Sequence, residues 1–539
     1  MFPPMQHHAL TLDKFVDHAA KWHRSSTVAT AVRGTVLSRT GYAGLRERSN
    51  RLSGALLALG LRPGDRVGTL AWNTQHHLEM YYATMNVGLV CHTLNPRLTP
   101  EHLSAMINEA ANRVLAIAAG LAPMLADLLP LCPSVERVIV LDGDADPALV
   151  ADAAIPVEGL DTLVEALGRA VEWGRFDETS PAGLCFTSGT TGKPKGVVFT
   201  HRSNYHHTLM SVQPDAYCLS AKDVILVAIP MFHANAWGFP FSAPAVGASL
   251  VLPGRELDGA SLATLIRSEN VTVAGGVQTV WIGLLDHLDA TGEDVPSLER
   301  VIIGGSQCPE ALIRRIEERL GARVQTTWGM TEMSPLGTAD SVQFPPAAER
   351  SSGRPPFGVD LKLTDAEGVT LDRQRGVVGH LKVKGAAVID RYFGASDSVL
   401  DAEGYFDTGD LATIDESGAL TICGRSKDLI KSGGEWINPA EMEAIIGRDP
   451  RVGQVAVIGK PHSKWGERPV LVVELGAGDT GDARALIEVL RGRVADWWLP
   501  DDVIQLPRMP LAATGKIDKV RLRADHAQGK LDRYVAPRS

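Results

Sequence analysis

None of the six cysteines, Cys91, Cys132, Cys185, Cys218, Cys308 and Cys423, forms a C-x-x-C pair with another. That spacing gives no disulfide framework and no cysteine-based zinc site, and reads instead as free thiols in a reducing compartment. No run of about 20 apolar residues occurs, so no membrane-spanning helix is expected. Residues 1–15 lack a cationic start followed by an apolar core, so no secretory leader is read there. Positive charge is not in excess. The formal net charge is −10, which argues against a general binder of nucleic acid or of a membrane surface. Internal repeats and low-complexity tracts are missing too. What remains is a chain of 539 residues, 45% hydrophobic and 22% charged, the balance of a globular enzyme. It is too long for one core, and its length implies roughly two to four domains.

Helical and strand patterns alternate through the first half. Helical spacing is read at 49–59, 76–86, 261–269 and 310–320, and strands at 65–70, 137–141, 271–274 and 301–303. This alternation predicts the α/β class, with parallel sheets covered by helices. After about Ser352 the strands shorten, at 360–364, 380–383 and 419–423, around a turn at 415–418. These predict a smaller, mostly antiparallel, barrel-like β unit over about 352–426. Helix and strand mix again from 428 onward. The polar run Arg425-Ser426-Lys427-Asp428 marks the expected boundary between a large N-terminal domain, 1–426, and a smaller α+β domain, 427–539.

The densest chemistry lies in Thr187-Ser188-Gly189-Thr190-Thr191-Gly192-Lys193-Pro194-Lys195-Gly196. Glycines bring backbone N–H groups close to a ligand, and successive N–H groups form an anion-binding nest. Hydroxyls and two lysines add donors, so the run reads as a polyphosphate loop between two strands. It is not a P-loop, because Thr187 stands at the first glycine position and Pro194 follows Gly192-Lys193. A plain Gly/Ser/Thr surface turn is the alternative.

Six weaker motifs accompany it. In 230–238 two aromatics, His233 and small residues lie together, a pattern that also suits a loop entering a core helix. The turn Gly304-Gly305-Ser306-Gln307 follows a strand, where open α/β sheets bind ligands. Shortly after come Thr327, Trp328, Gly329, Met330, Thr331 and Glu332: a flat face for a purine, a hydroxyl, and a hard oxygen ligand for Mg²⁺. Asp410, after a tight turn, can accept from two ribose hydroxyls, and Arg425 can reach the same ribose or a phosphate. Lys431-Ser432-Gly433-Gly434-Glu435-Trp436 puts bare backbone before a helix start, while Gly515-Lys516 presents a lysine near the C-terminus.

In their order and spacing these motifs closely resemble those of the adenylate-forming superfamily: acyl-CoA synthetases, peptide-synthetase adenylation domains and beetle luciferases. The segments 91–97, 428–437 and 464–469 look most like bacterial medium- and long-chain fatty acyl-CoA ligases. The resemblance covers nearly the whole chain. It implies an ATP-dependent carboxylic acid–CoA ligase that passes through acyl-AMP, with Mg²⁺, ATP and coenzyme A, a cytoplasmic setting and a homodimer as one possible assembly. It implies no nucleic-acid partner and no stable membrane insertion. Under it, Thr187 and residues 188–195 hold the β- and γ-phosphates, and Thr187 and Glu332 serve the metal. Gly305, Ser306, Gln307, residues 327–331, Asp410, Ile422 and Arg425 surround the nucleotide. His233, Ala234, Trp237, Gln278, Gly304 and Gln307 line the acyl pocket, with His233 near the reacting carboxylate and Trp237 gating the channel. Lys516 touches carboxylate and α-phosphate, residues 431–436 line a pantetheine tunnel, and the mobile C-terminal domain turns about Lys427.

Three residues depart from the relatives' pattern. Gln278 stands where proline is usual, Gln307 where a small residue is usual, and Ala234 where valine is usual. The stretch 339–354 is also shorter. Two amides in a hydrocarbon pocket are unfavourable unless hydrogen-bonded. An acid carrying polar groups or rings is therefore expected, unless both amides point elsewhere. Loading of a carrier-protein phosphopantetheine, and a catalytically silent acyl- or nucleotide-binding protein, are the competing readings.

Overall fold

The computed structural model describes residues 5–6, 8–143, 154–187, 194–306, 308–343, 351–433, 435–476, 481–512 and 516–531. Two large sheets, each covered by helices, build the first part of the chain. One runs edge to edge through Leu336–Ala339, Arg323–Gly329, Arg300–Ile303, Val273–Gly276, Val224–Val227, Ser249–Leu252, Thr27–Val32 and Thr35–Gly41. The other runs through Val157–Gly159, Arg137–Val140, Val114–Ile117, Arg66–Leu70, Val90–Thr93, Pro181–Phe186 and Gly196–Thr200. Inner pairs are parallel. Antiparallel pairs occur only at edges, such as Pro181–Phe186 with Gly196–Thr200.

Between the sheets lie the helices Gln75–Met85 and Phe239–Val246, buried on nearly every side. Their rings, Tyr81, Tyr82, Phe239 and Phe241, join Val67 of one sheet and Ile225 and Val273 of the other in one core. Each fully buried ring contributes about 1.5–3 kcal/mol from the area removed from water. The helix read at 49–59 in fact spans Tyr42–Ala58. Its early turns carry Arg46 and Arg48, which look like a solvated stretch but bond Asp17 and Glu79.

A four-stranded antiparallel sheet follows: Val359–Thr364, Val378–Gly385, Phe406–Ile414 and Leu420–Arg425. Its apolar face packs on Trp328, Met333 and Phe199. The last part holds the hairpin Ile430–Ser432 with Glu435–Ile437, the long pair Val452–His462 with Gly466–Leu475, and Asp502–Gln505. Helices Pro439–Ile446 and Lys519–Ala527 accompany these strands. All six cysteines are free thiols. No helix among the described residues is long and apolar enough to cross a membrane. The fold is the expected α/β arrangement of helix-covered parallel sheets, followed by a smaller α+β part.

Candidate active site

The site forms where the parallel strands Arg300–Ile303 and Arg323–Gly329 end side by side, in register at Ile303 and Thr326. Past Ile303 the chain turns through Gly304 and Gly305. A Cβ on Gly304 would lie 2.5 Å from Thr327 Oγ1 and 3.0 Å from the Trp237 indole, so only glycine lets the three elements meet. Gln278 donates from Nε2 to Ser306 Oγ at 3.0 Å and to Ser306 O at 3.4 Å. Its amide nitrogen is thus held by the turn rather than left unpaired in an apolar channel.

On the adjoining strand Trp328 is buried, and its Nε1 donates to Asp410 Oδ2 at 2.9 Å. The other Asp410 oxygen pairs with Arg425 Nε at 2.8 Å, and Arg425 Nη1 donates to Thr408 O at 3.0 Å. Strand pairing sets this geometry, because Asp410 and Arg425 sit opposite each other in the antiparallel ladder. Burial pushes the Asp410 carboxyl above its ordinary pKa, against the pull of Arg425, Trp328 and Lys516. Met330 and Ile422 pack against the same apolar cluster.

Lys516 reaches this cluster from far along the chain. Its Cε lies 3.7 Å from where a Cβ on Gly305 would stand. The lysine keeps accessible surface, so it lies in a cleft rather than a sealed core. Crowding by protein lowers its pKa, Arg425 lowers it further, and Asp410 opposes both. His233 feels the same ammonium. Burial and then Lys516 push its pKa down to about 4, so the imidazole is neutral near pH 7.

Glu332 is buried in the short turn Thr331–Met333. Its Oε1 accepts from the Tyr392 hydroxyl at 3.0 Å, and the Tyr392 ring carries Lys195 Nζ 4.7 Å from its centroid. Tyr392, missed from the sequence, ties the carboxylate to Lys195 at the end of the glycine-rich loop. Thr187 closes that loop by donating its N–H to Lys195 O at 2.9 Å, between the expected two strands. Ser188, Gly189, Thr190, Thr191, Gly192, Lys193, Gln307, Gly434 and Gly515 lie outside the described residues. No cluster of three or more metal-ligating side chains occurs among the described residues. A buried carboxylate tied through Tyr392 to Lys195 suits Mg²⁺, which takes one or two carboxylates and completes its shell from phosphates and water.

The segment before Gly238 is unusual. Ala234, Asn235, Ala236 and Trp237 all have φ between 43° and 54°, a left-handed run that L-residues disfavour. Asn73 holds the chain that leads into it: its Nδ2 donates to Val227 O and Ile229 O while Oδ1 accepts from Met231 N.

Lys431, Ser432, Gly433, Glu435 and Trp436 form a separate hairpin. Gly433 (φ 62°) donates to Trp465 O at 2.8 Å, and a Cβ there would lie 2.9 Å from the Trp465 ring. Trp436 is 54% exposed. No hydrogen bond or ion pair among the described residues joins this hairpin to Lys516. Lys427 sits in the turn Ser426–Asp428, its pKa lowered by burial, and Asp428 pairs with Arg523. Arg448, just past the helix Pro439–Ile446, reaches Glu310 at 3.7 Å.

Comparison with known proteins gives three findings. Family models described as AMP-binding enzyme and AMP-binding enzyme C-terminal domain match residues 17–393 and 441–516. The chain is 42% identical over 533 residues to 3-methylmercaptopropionyl-CoA ligase of Ruegeria lacuscaerulensis, covering 97% of this chain and 98% of that one. It is 40% identical over 535 residues to a medium-chain-fatty-acid–CoA ligase of Ectopseudomonas oleovorans, covering 97% of each. Among solved structures, ATP-bound MatB from Rhodopseudomonas palustris superposes with a TM-score of 0.82 at 26% identity, over 96% of this chain and 99% of that one. The anthranilate CoA ligase AuaEII with anthranoyl-AMP shares the fold, with a TM-score of 0.87 at 22% identity over 97% and 99% of the two chains.

Proposed function

This chain belongs to the family of AMP-binding enzymes and is an AMP-forming carboxylic acid–CoA ligase, and we propose how its own residues divide the two half-reactions. In the first, a carboxylate oxygen of the acid attacks the α-phosphorus of ATP. The bond to pyrophosphate breaks and acyl-AMP forms. In the second, the CoA thiol attacks the acyl carbonyl carbon, gives up its proton, and AMP leaves.

The observation that carries the assignment is the convergence of Lys516 on Gly305, Asp410, Arg425 and His233. A cation held beside the nucleotide turn offsets charge that builds on the α-phosphate and aligns the carboxylate. Neutral His233 can donate one hydrogen bond to that carboxylate without adding charge. Asp410 accepts from the ribose and Arg425 holds it there, while Trp328 backs the purine. Thr187 to Lys195 hold the β- and γ-phosphates. Glu332, oriented by Tyr392, and Thr187 would hold Mg²⁺, which neutralises phosphate charge when bound.

The second half-reaction uses the 431–436 hairpin, away from Lys516, after the part beyond Lys427 rotates. The division at Lys427 into domains 1–426 and 427–539 is part of this proposal, and the rotation is a step that can limit turnover. The acid is a medium- or long-chain fatty acid or a bulkier functionalised one. The relatives' named substrates, methylmercaptopropionate, medium-chain fatty acids and ferulate, run from a short thioether acid through fatty chains to an aryl acid. Dependence on ATP and CoA fits work in the cytoplasm.

A panel of fatty, aryl and polycyclic acids, assayed for pyrophosphate release with and without CoA, tests the reading. Turnover that continues only with CoA, yielding acyl-CoA and AMP, is expected. Release unaffected by CoA would move the acceptor to a carrier protein.

A further inference from the structure

Past the turn that holds Gly305 the chain enters the helix Glu310–Leu320, and the part beyond Lys427 touches both places. Lys516 Cε lies 3.7 Å from where a Cβ on Gly305 would stand. Shortly after, Glu310 Oε2 lies 3.7 Å from Arg448 Nη2. Glu310 is the first residue of its helix, where the dipole favours a carboxylate, and its side chain is only 16% exposed. Arg314, one turn further, takes its other oxygen at 2.7 Å. The carboxylate is therefore fixed independently of Arg448, and little ordering entropy is lost on that side of the pair.

Arg448 is held firmly too. It follows Gly447, which ends the helix Pro439–Ile446. At the start of that helix Asn438 accepts from Ala440 N at 3.1 Å, and its Nδ2 donates to Cys423 O at 2.8 Å, on the strand that leads to Lys427. Within the helix Glu443 pairs with Lys519 at 2.7 Å and accepts from Val457 N at 2.6 Å. Lys519 opens the helix Lys519–Ala527, and Lys516 lies just before it. A closed circuit results: Lys516 against Gly305, Lys519 on Glu443, Arg448 on Glu310, and the short stretch from Glu310 back to Gly305. Moving Arg448 off Glu310 thus acts on the helix that holds the lysine's own segment.

Neither Arg448 nor Glu310 has a chemical part in the two half-reactions. In the proposed cycle Lys516 leaves the nucleotide turn for the second of them, and Arg448 travels with it. The ion pair then exists in the first arrangement and is broken in the second. A contact made in one of two arrangements shifts their populations by its own strength. For a partly exposed pair that is a factor of about two to five, enough to bias the chain and too little to lock it.

We propose that Arg448 is a positioning residue for adenylation: its ion pair with Glu310 holds the part beyond Lys427 where Lys516 meets the nucleotide, and its release accompanies the change to thioester formation. This rests on the proposed alternation of one chain between two arrangements.

The test follows the ratio of two single-turnover rates, acyl-AMP formation from acid plus ATP and acyl-CoA formation from supplied acyl-AMP plus CoA. A merely destabilised protein loses both rates together and keeps the ratio, whereas a shifted population moves it. Arg448→Ala should lower the ratio about two- to fivefold. Arg448→Glu, which sets two carboxylates face to face, should lower it about tenfold, and Glu310→Lys likewise. The double variant with the charges exchanged should return to within about twofold of wild type, and Arg448→Lys should keep most of the ratio. If the charge-reversed variants do not fold, Arg448→Ala and Arg448→Lys carry the comparison. A ratio unmoved by loss of Arg448, or not recovered when the charges are exchanged, overturns the inference and leaves the ligase standing. Lys516→Ala slowing both half-reactions equally overturns the two-arrangement reading, and the inference with it.

Discussion

At the level of a single residue, the proposed function puts the first half-reaction on Lys516. Its charge is what the α-phosphate needs, yet crowding and Arg425 make that charge harder to keep than in open water. The sign follows directly. A lysine with a lowered pKa loses its proton at lower pH than an ordinary lysine, whose pKa is about 10.4. The alkaline limb of adenylation should therefore fall below that of a free lysine and should be absent from thioester formation with supplied acyl-AMP. A limb common to both half-reactions would point to another group. Asp410 shows the complementary device. Burial favours its neutral form, and Arg425 and the Trp328 indole N–H hold it toward the carboxylate that a ribose hydroxyl can bond.

At the scale of elements, what was legible in the sequence was what is local. The helix Glu310–Leu320 was read at its observed bounds, because Leu312, Ile316 and Leu320 repeat on one face while charged residues fill the other. The helix Gln75–Met85 was found despite weak amphipathicity, and its burial between two sheets explains that weakness. The glycine-rich loop and turns were visible because their composition is itself the signal. Pairings between distant elements were not legible. Nothing near Glu332 announces Tyr392, and nothing near Met231 announces Asn73. Nor was the partner of Gln278 legible. Gln278 bonds Ser306, and Gln307 lies outside the described residues. The hairpin around Gly433 gives an element's prediction. Gly433→Leu must adopt a left-handed φ and push against Trp465. It should slow thioester formation about tenfold or more while pyrophosphate release in the first half-reaction persists, as rapid-quench assays of each step would record. Unslowed thioester formation would remove the hairpin from the CoA path.

For the whole molecule, burial of neutral histidines sets the response to acid. His77, His92 and His201 are pushed down to about 4 and His207 to about 3, all by burial. Unfolded, each titrates near 6.5. Between about pH 4 and 6.5 the unfolded chain thus binds more protons than the folded one, so stability rises with pH across that window and is lost as pH falls through it. The thermal midpoint should drop steadily from pH 7 to pH 5. A flat profile there would contradict the buried neutral imidazoles.

In the proposed cycle one chain presents Lys516 to the nucleotide for one reaction and another surface to CoA for the next. Lys516→Ala, assayed separately with acid plus ATP and with supplied acyl-AMP plus CoA, tests it most directly. Acyl-AMP formation should fall about a hundredfold or more, from removal of one charge-stabilising group at the transition state, with acyl-CoA formation from acyl-AMP near the wild-type rate. Equal loss of both half-reactions, or loss of neither, would contradict it.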